Sequence, residues 1–168
     1  MNVERAALPS AWPGRLPAQA ATEFAGTYLR AAAGATKHHS PKEPLGDLVY
    51  FLLGTADVTA ERVRLTMHPG KLRVETIGTA GEVRATRELP VQLNEGVLAV
   101  RHDRGVTGHP LGVGAGRSEY HLYRAADGSL IGRVGARAVG LSLWIVPTVG
   151  VGENWLWWKK AESPVHSP

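Results

Sequence analysis

The sequence predicts a mainly β fold: a curved antiparallel meander, or small barrel, of about eight strands with one short helix. Three observations carry this. Apolar and polar residues alternate with a period of two over most of the chain after Val63. Turn residues recur between neighbouring alternating segments, as a meander needs. Only residues 41–53 combine helical apolar spacing with start and stop signals.

Taken in chain order, residues 1–22 form a lead segment with Pro9, Pro13 and Pro17. Proline at that spacing forbids a regular helix and removes ladder donors, so the segment is extended. Residues 23–160 then read as a single β-rich domain, and residues 161–168 as a polar tail. Phe24–Leu29 is a first strand bent at Gly26, and Ala31–His39 is a loop. Ser40-Pro41-Lys42-Glu43 opens the helix with a capping serine, a proline at the first helical position and a glutamate three residues on. Leu45, Leu48, Val49 and Leu52 give the helix its buried face, and Gly54 ends it. Val63, Leu65 and Met67 then alternate against Arg62, Arg64 and Thr66. His68-Pro69-Gly70-Lys71 turns the chain into Leu72, Val74 and Thr76. Further strands are read at Glu82–Leu89, Val97–His102, Ser118–Arg124, Ser129–Arg137, Leu141–Val146 and Trp155–Lys159. Asp127-Gly128 makes the strongest hairpin turn, because both residues tolerate positive backbone angles.

Composition narrows the function classes. The chain has 168 residues, no cysteine and a formal charge of +4. Without cysteine there are no disulfides, thiolate zinc sites, iron–sulfur clusters or cysteine nucleophiles. Glycine and proline, 20 and 11 residues, punctuate the fold without dominating it, and 43% apolar content supports a core. The excess positive charge falls between residues 61 and 137, where Glu61, Glu75, Glu82 and Glu88 are interleaved with arginines. That interleaving describes a solvated sheet exterior, and no basic cluster is dense enough for a nucleic-acid footprint. No apolar run is long enough to span a bilayer as a helix, and the first twenty residues lack a signal peptide's apolar segment.

The chemistry-bearing patterns fail in turn. Leu111–Ser118 is rich in glycine, but Gly112, Gly114 and Gly116 lack the dinucleotide and phosphate-loop spacings and lead into a strand. The segment therefore reads as a sharply bending connection. Seven histidines include no helical metal-binding pair. His102 shares parity with Leu98 and Val100, so it faces the apolar side. Asp103 alternates away from it, and no Gly-x-Ser-x-Gly elbow supplies a nucleophile. No metal and no cofactor are expected. Four of the five tryptophans lie at the C-terminus, and alternation sends Trp155 and Trp157 to one face, Leu156 and Trp158 to the other. One face closes the core, leaving the other for a ligand or partner. The binding residues expected are Trp155, Trp157, Trp158, Gly112, Gly114, His102 and Arg117, with Arg117 at the rim as a forked donor for an anionic group.

Ala25-Gly26-Thr27-Tyr28, Gly116-Arg117-Ser118 with Leu122-Tyr123 and Asp127–Leu130, and Pro147 with Glu153-x-Trp155 together resemble small envelope lipoproteins of Gram-negative bacteria. The Gly26-x-Tyr28 strand and the meander also resemble lipocalin-like barrels. The resemblance implies a periplasmic or outer-membrane-associated protein whose signal sequence was removed or lies upstream of Met1; without one, the chain is cytoplasmic. The family's lipidated cysteine has no counterpart here, so membrane association would come only through an anchor outside these residues. The function expected is a non-catalytic binding or interaction domain of the cell envelope, with a protein or a small apolar or anionic ligand as partner. Alternatives are a periplasmic immunity or inhibitor protein blocking a toxic enzyme, and a small hydrolase using His102.

Overall fold

Period-two alternation and turn chemistry dictate the strand ladder. The computed structural model describes residues 7–36, 46–55, 57–100, 106–109, 112–142 and 146–162, with segments 106–109, 112–117, 136–142 and 146–151 defined by backbone alone. The fold is mainly β. Its strands are β1 (Arg15–Leu16), β2 (Gly26–Leu29), β3 (Gly34–Ala35), β4 (Arg62–His68), β5 (Lys71–Ile77), β6 (Val83–Asn94), β7 (Val97–Val100), β8 (Val106–His109), β9 (Gly112–Ala125), β10 (Leu130–Ser142) and β11 (Val146–Trp158). One helix, α1 (Leu48–Leu53), and a 3-10 turn (Ala21–Phe24) complete the described elements.

The sheet order is β2-β4-β5-β6-β7-β9-β10-β11-β3, with β1 and β8 both added to β9, and every pairing is antiparallel. The sheet curls until its ends meet. The Leu29 amide donates to the Lys159 carbonyl at 2.9 Å, and the Ala161 amide donates to the Thr27 carbonyl at 2.8 Å. The curled meander thus contains the expected eight strands. The three additions, β1, β3 and β8, are two to four residues long. Short main-chain pairings of this kind leave no periodic signature in sequence.

Several expected elements differ in their bounds: the strand expected from Phe24 starts at Gly26, and β9, β10 and β11 reach Gly112, Ser142 and Val146 instead of Ser118, Arg137 and Trp155. β6 runs through Pro90 to Asn94 instead of ending at Leu89. Pro90 is tolerated because it sits where β6 changes partner: residues Val83–Pro90 pair with β5, and Val91–Asn94 pair with β7. The expected strand Leu141–Val146 is instead the end of β10 and the start of β11, with Ser142 opposite Val146. A continuous apolar run does not by itself distinguish one strand from a strand pair meeting at its tip. The expected helix start at Ser40-Pro41 and the apolar Leu45 lie outside the described residues. The described helix begins at Asp47, whose Oδ1 accepts from the Val49 and Tyr50 amides at 2.8 and 3.3 Å, and ends at Gly54 in the left-handed region.

The helix sits against the concave face of the sheet. Leu48, Val49, Phe51 and Leu52 are buried with Val63, Leu65, Leu72, Leu98, Leu122 and Trp158 in the main core. Phe51 meets Trp158 edge-on at 5.0 Å and Tyr120 at 5.3 Å. Asp47 also pairs with Arg30, and the Leu48 amide donates to the Arg30 carbonyl at 2.9 Å, so the helix start is tied to the residue that follows β2. Gly132 makes the close approach possible: a Cβ there would lie 2.5 Å from the Trp158 ring and 2.9 Å from Phe51. A second, smaller cluster lies on the convex face, where Ala125, Ile131 and Trp155 are buried under Leu8 and Trp12.

Candidate functional site

β9, β10 and β11 carry most of the residues that sequence reading assigns to binding, and their register separates those residues by face. On the convex face the rows are Tyr123–Ile131–Trp157, His121–Arg133–Trp155 and Glu119–Gly135–Glu153. On the concave face they are Leu122–Gly132–Leu156, Tyr120–Val134–Asn154 and Ser118–Ala136–Gly152. Trp155 and Trp157 are therefore convex, and Trp158 is concave and fully buried. Gly112 and Gly114 share the strand parity of Tyr120 and Leu122, while Arg117 shares that of His121 and Tyr123. His102 lies outside the described residues. The assigned residues are not brought into one patch. They divide between two faces of one three-stranded sheet.

The glycine-rich segment is also not a bend. It is strand from Gly112 onward, paired residue by residue with β10 and, over Gly112–Ala115, with β8. Pairing on both sides supplies the ladder hydrogen bonds that hold a glycine-rich strand extended despite its poor intrinsic preference.

The concave face changes character along the strands. At the Gly132 row it is filled by Trp158 and Phe51. One row on stands Tyr120, half-buried, with Ser118 hydrogen-bonded to it; burial, and next the nearby Tyr50 of α1, push its hydroxyl up in pKa. Asn154 is buried in the same row, and Thr36 donates from Oγ1 to its Oδ1 at 2.8 Å. At the next row, a Cβ on Gly152 would meet nothing within 4 Å among the described residues. Beyond it the register continues Gly116–Ala138–Gly150 and Gly114–Gly140–Thr148. Successive rows are about 7 Å apart, so among the described residues packing gives way to open space within about 14 Å. The hydroxyls of Tyr50, Tyr120 and Ser118 mark the boundary.

The convex face is occupied by the chain itself. Trp12 packs at a tilt against Trp157, ring centres 5.9 Å apart, and the Trp157 Nε1 donates to Ser129 Oγ at 2.8 Å. Tyr123 and Trp155 pack on each other with ring centres 5.6 Å apart, and the Arg15 guanidinium lies over the pair, 5.0 and 4.9 Å from the two ring centres. Arg133 pairs with Glu153 and lies 5.9 Å from the Trp155 ring. His121 is held below the usual imidazole pKa by burial and then by Arg133, with Glu119 acting the other way. It is half-buried, and its Nδ1 has no hydrogen-bond partner among the described residues.

A shallow groove of about 610 Å³ lies apart from both faces at the strand ends, lined by Leu29, Arg30, Val58, Thr59, Glu61 and Thr79 among others. Among the described residues, no group of three or more His, Asp and Glu side chains could hold a metal ion, and no helix is long and apolar enough to cross a membrane. Sequence reading did not single out Tyr50, Tyr120, Gly152, Trp12, Arg15 or Tyr123. Parity along β9 was sufficient to place Tyr120 and Tyr123 on opposite faces. Trp12 and Arg15 sit in a segment with no periodicity, and nothing local announces where it docks. Comparison with protein-family models, curated proteins and solved structures finds no match for this chain.

Proposed function

We propose that the chain is a non-catalytic binding domain of the bacterial cell envelope, which takes a small, largely apolar ligand on the concave face of β9, β10 and β11. The observation that carries this reading is the change from filled to open between Gly132 and Gly152. Small-molecule sites are concave and mostly apolar, with a few polar groups that orient the ligand. Here the hydroxyls of Tyr50, Tyr120 and Ser118 are those groups, standing where the packed core ends. Rows of glycine, alanine and threonine then let a ligand approach the backbone closely. The envelope setting is supported by the resemblance of the strand and turn motifs to small envelope lipoproteins.

Gly152→Leu tests the site. The substituted side chain enters open space and leaves the backbone unstrained. Wild-type protein is expected to take up a long-chain fatty acid or an apolar fluorophore, and the variant to lose at least about tenfold in affinity with an unchanged melting temperature. Gly135→Leu, at an equally open position of the convex face, should bind as wild type does. Failure of the wild type to take up apolar probes of any size, or uptake unaffected by Gly152→Leu, would falsify the reading.

A further inference from the structure

The convex face holds a segment of the chain itself, residues 8–16, which makes a turn at Pro9–Trp12 and runs extended through β1. Three kinds of contact seat it. β1 adds two residues to the β9 edge, with Arg15 opposite Ala125 and Leu16 opposite Arg124, and the Ala126 amide donates to the Gly14 carbonyl at 2.9 Å. The Arg15 guanidinium lies over the touching Tyr123 and Trp155 rings, 5.0 and 4.9 Å from their centres. Trp12 lies on Trp157 and over Gly34, where even a Cβ would come within 2.6 Å of its ring.

The face and its occupant are unequal. Ala125 and Ile131 are fully buried beneath the segment, and Trp155 is 5% exposed. In the covering segment no residue from 7 to 17 is buried, and Leu16 is 40% exposed. A segment with few buried contacts and largely exposed backbone opens at low free-energy cost, whereas the apolar face below it does not tolerate standing bare.

From this inequality we infer that the convex face of β9, β10 and β11 is a docking site for a partner protein's extended segment that carries a tryptophan and, three residues on, an arginine. Residues 8–16 hold the site until such a segment displaces them, while Ala18 stays in the main core with its amide donating to the Gly96 carbonyl at 3.1 Å. Main-chain pairing to β9 supplies affinity that any extended peptide would share. The Tyr123–Trp155 aromatic pair and the Gly34–Trp157 surface supply selectivity, the first for a planar cation and the second for a flat aromatic ring.

The full-length chain tests this with a labelled synthetic peptide covering residues 7–18. In the double variant Trp12→Ala/Arg15→Ala the built-in segment loses both anchors. It should bind the peptide at least about tenfold more tightly than wild type does, because the internal competitor is weakened. A peptide carrying Arg15→Ala should lose about fivefold or more of that affinity. If the double variant does not fold, Arg15→Ala alone gives the same comparison, since Arg15 is an exposed side chain. The inference is overturned if the folded variant ignores the peptide at millimolar concentration, or if the peptide's arginine makes no difference. It is also overturned if wild type forms a concentration-dependent dimer that the double variant does not, since a second copy would then be the occupant.

Discussion

Trp157 and Trp158 are neighbours in sequence, yet they belong to different parts of the molecule. Trp158 is fully buried on the concave face, packed on Phe51 of α1, with its Nε1 donating to the Gly46 carbonyl at 3.1 Å. Trp157 is half-buried on the convex face beneath Trp12, with Lys159 5.5 Å from its ring. Each face also has its own glycine, Gly132 under Trp158 and Gly34 under Trp12, at a point where no Cβ would fit. The difference lies in what covers each ring. The concave tryptophan is covered by a capped helix tied to Arg30. The convex one is covered by a segment with almost no regular structure. Equal side chains on one strand therefore contribute unequally to stability.

The largest expected effect breaks the concave side. Trp158→Ala removes a fully buried ring and leaves Phe51 without its partner, so urea unfolding should show a loss of about 3–5 kcal/mol. Trp157→Ala removes a half-exposed ring and should cost about 1–2 kcal/mol, because only part of its area leaves water on folding. Hydrogen exchange should then quicken in residues 12–18 without spreading to α1. Equal losses for the two variants would mean that the covering segment is as much core as the helix is.

The smallest effect concerns the far end of that segment. Glu23 accepts from the Ala20 and Gln19 amides, at 3.1 and 2.7 Å, and pairs with Arg124. Those amides, and then the Arg124 charge, hold its carboxyl below the ordinary value of 4.5. A lowered folded pKa means that the contribution is complete above the unfolded value and disappears as pH falls through the folded one. The melting-temperature gap between wild type and Glu23→Gln should accordingly be full at neutral pH and close as pH falls below 4.5. A gap independent of pH would show that the carboxylate's charge plays no part there.

What could be read from sequence was whatever repeats with a short period. Alternation at Val63–Met67 and Leu72–Thr76, and the turns at Pro69-Gly70 and Asp127-Gly128, marked the hairpins and the face of each residue. The same parity sends Trp157 and Trp158 to opposite faces. The docking of residues 8–16 was not legible, since it depends on an aromatic surface assembled from β9, β10 and β11. Nor was the strand character of Gly112–Gly116, where neighbouring strands supply what the residues themselves lack. For the same reason the binding residues expected from composition divided between two faces. Clustering in sequence says nothing about which side of a sheet a residue takes.

The contact between residues 27–29 and 159–161 also constrains the order of events in the cell. β2 leaves the ribosome well before the segment that completes its pairing. Closing so long a loop is slow, and until it happens one edge of β2 stands unpaired beside a growing chain. The sheet therefore closes only once residues 159–161 have been made, and any chain cut short before Lys159 carries an open edge able to pair with another molecule.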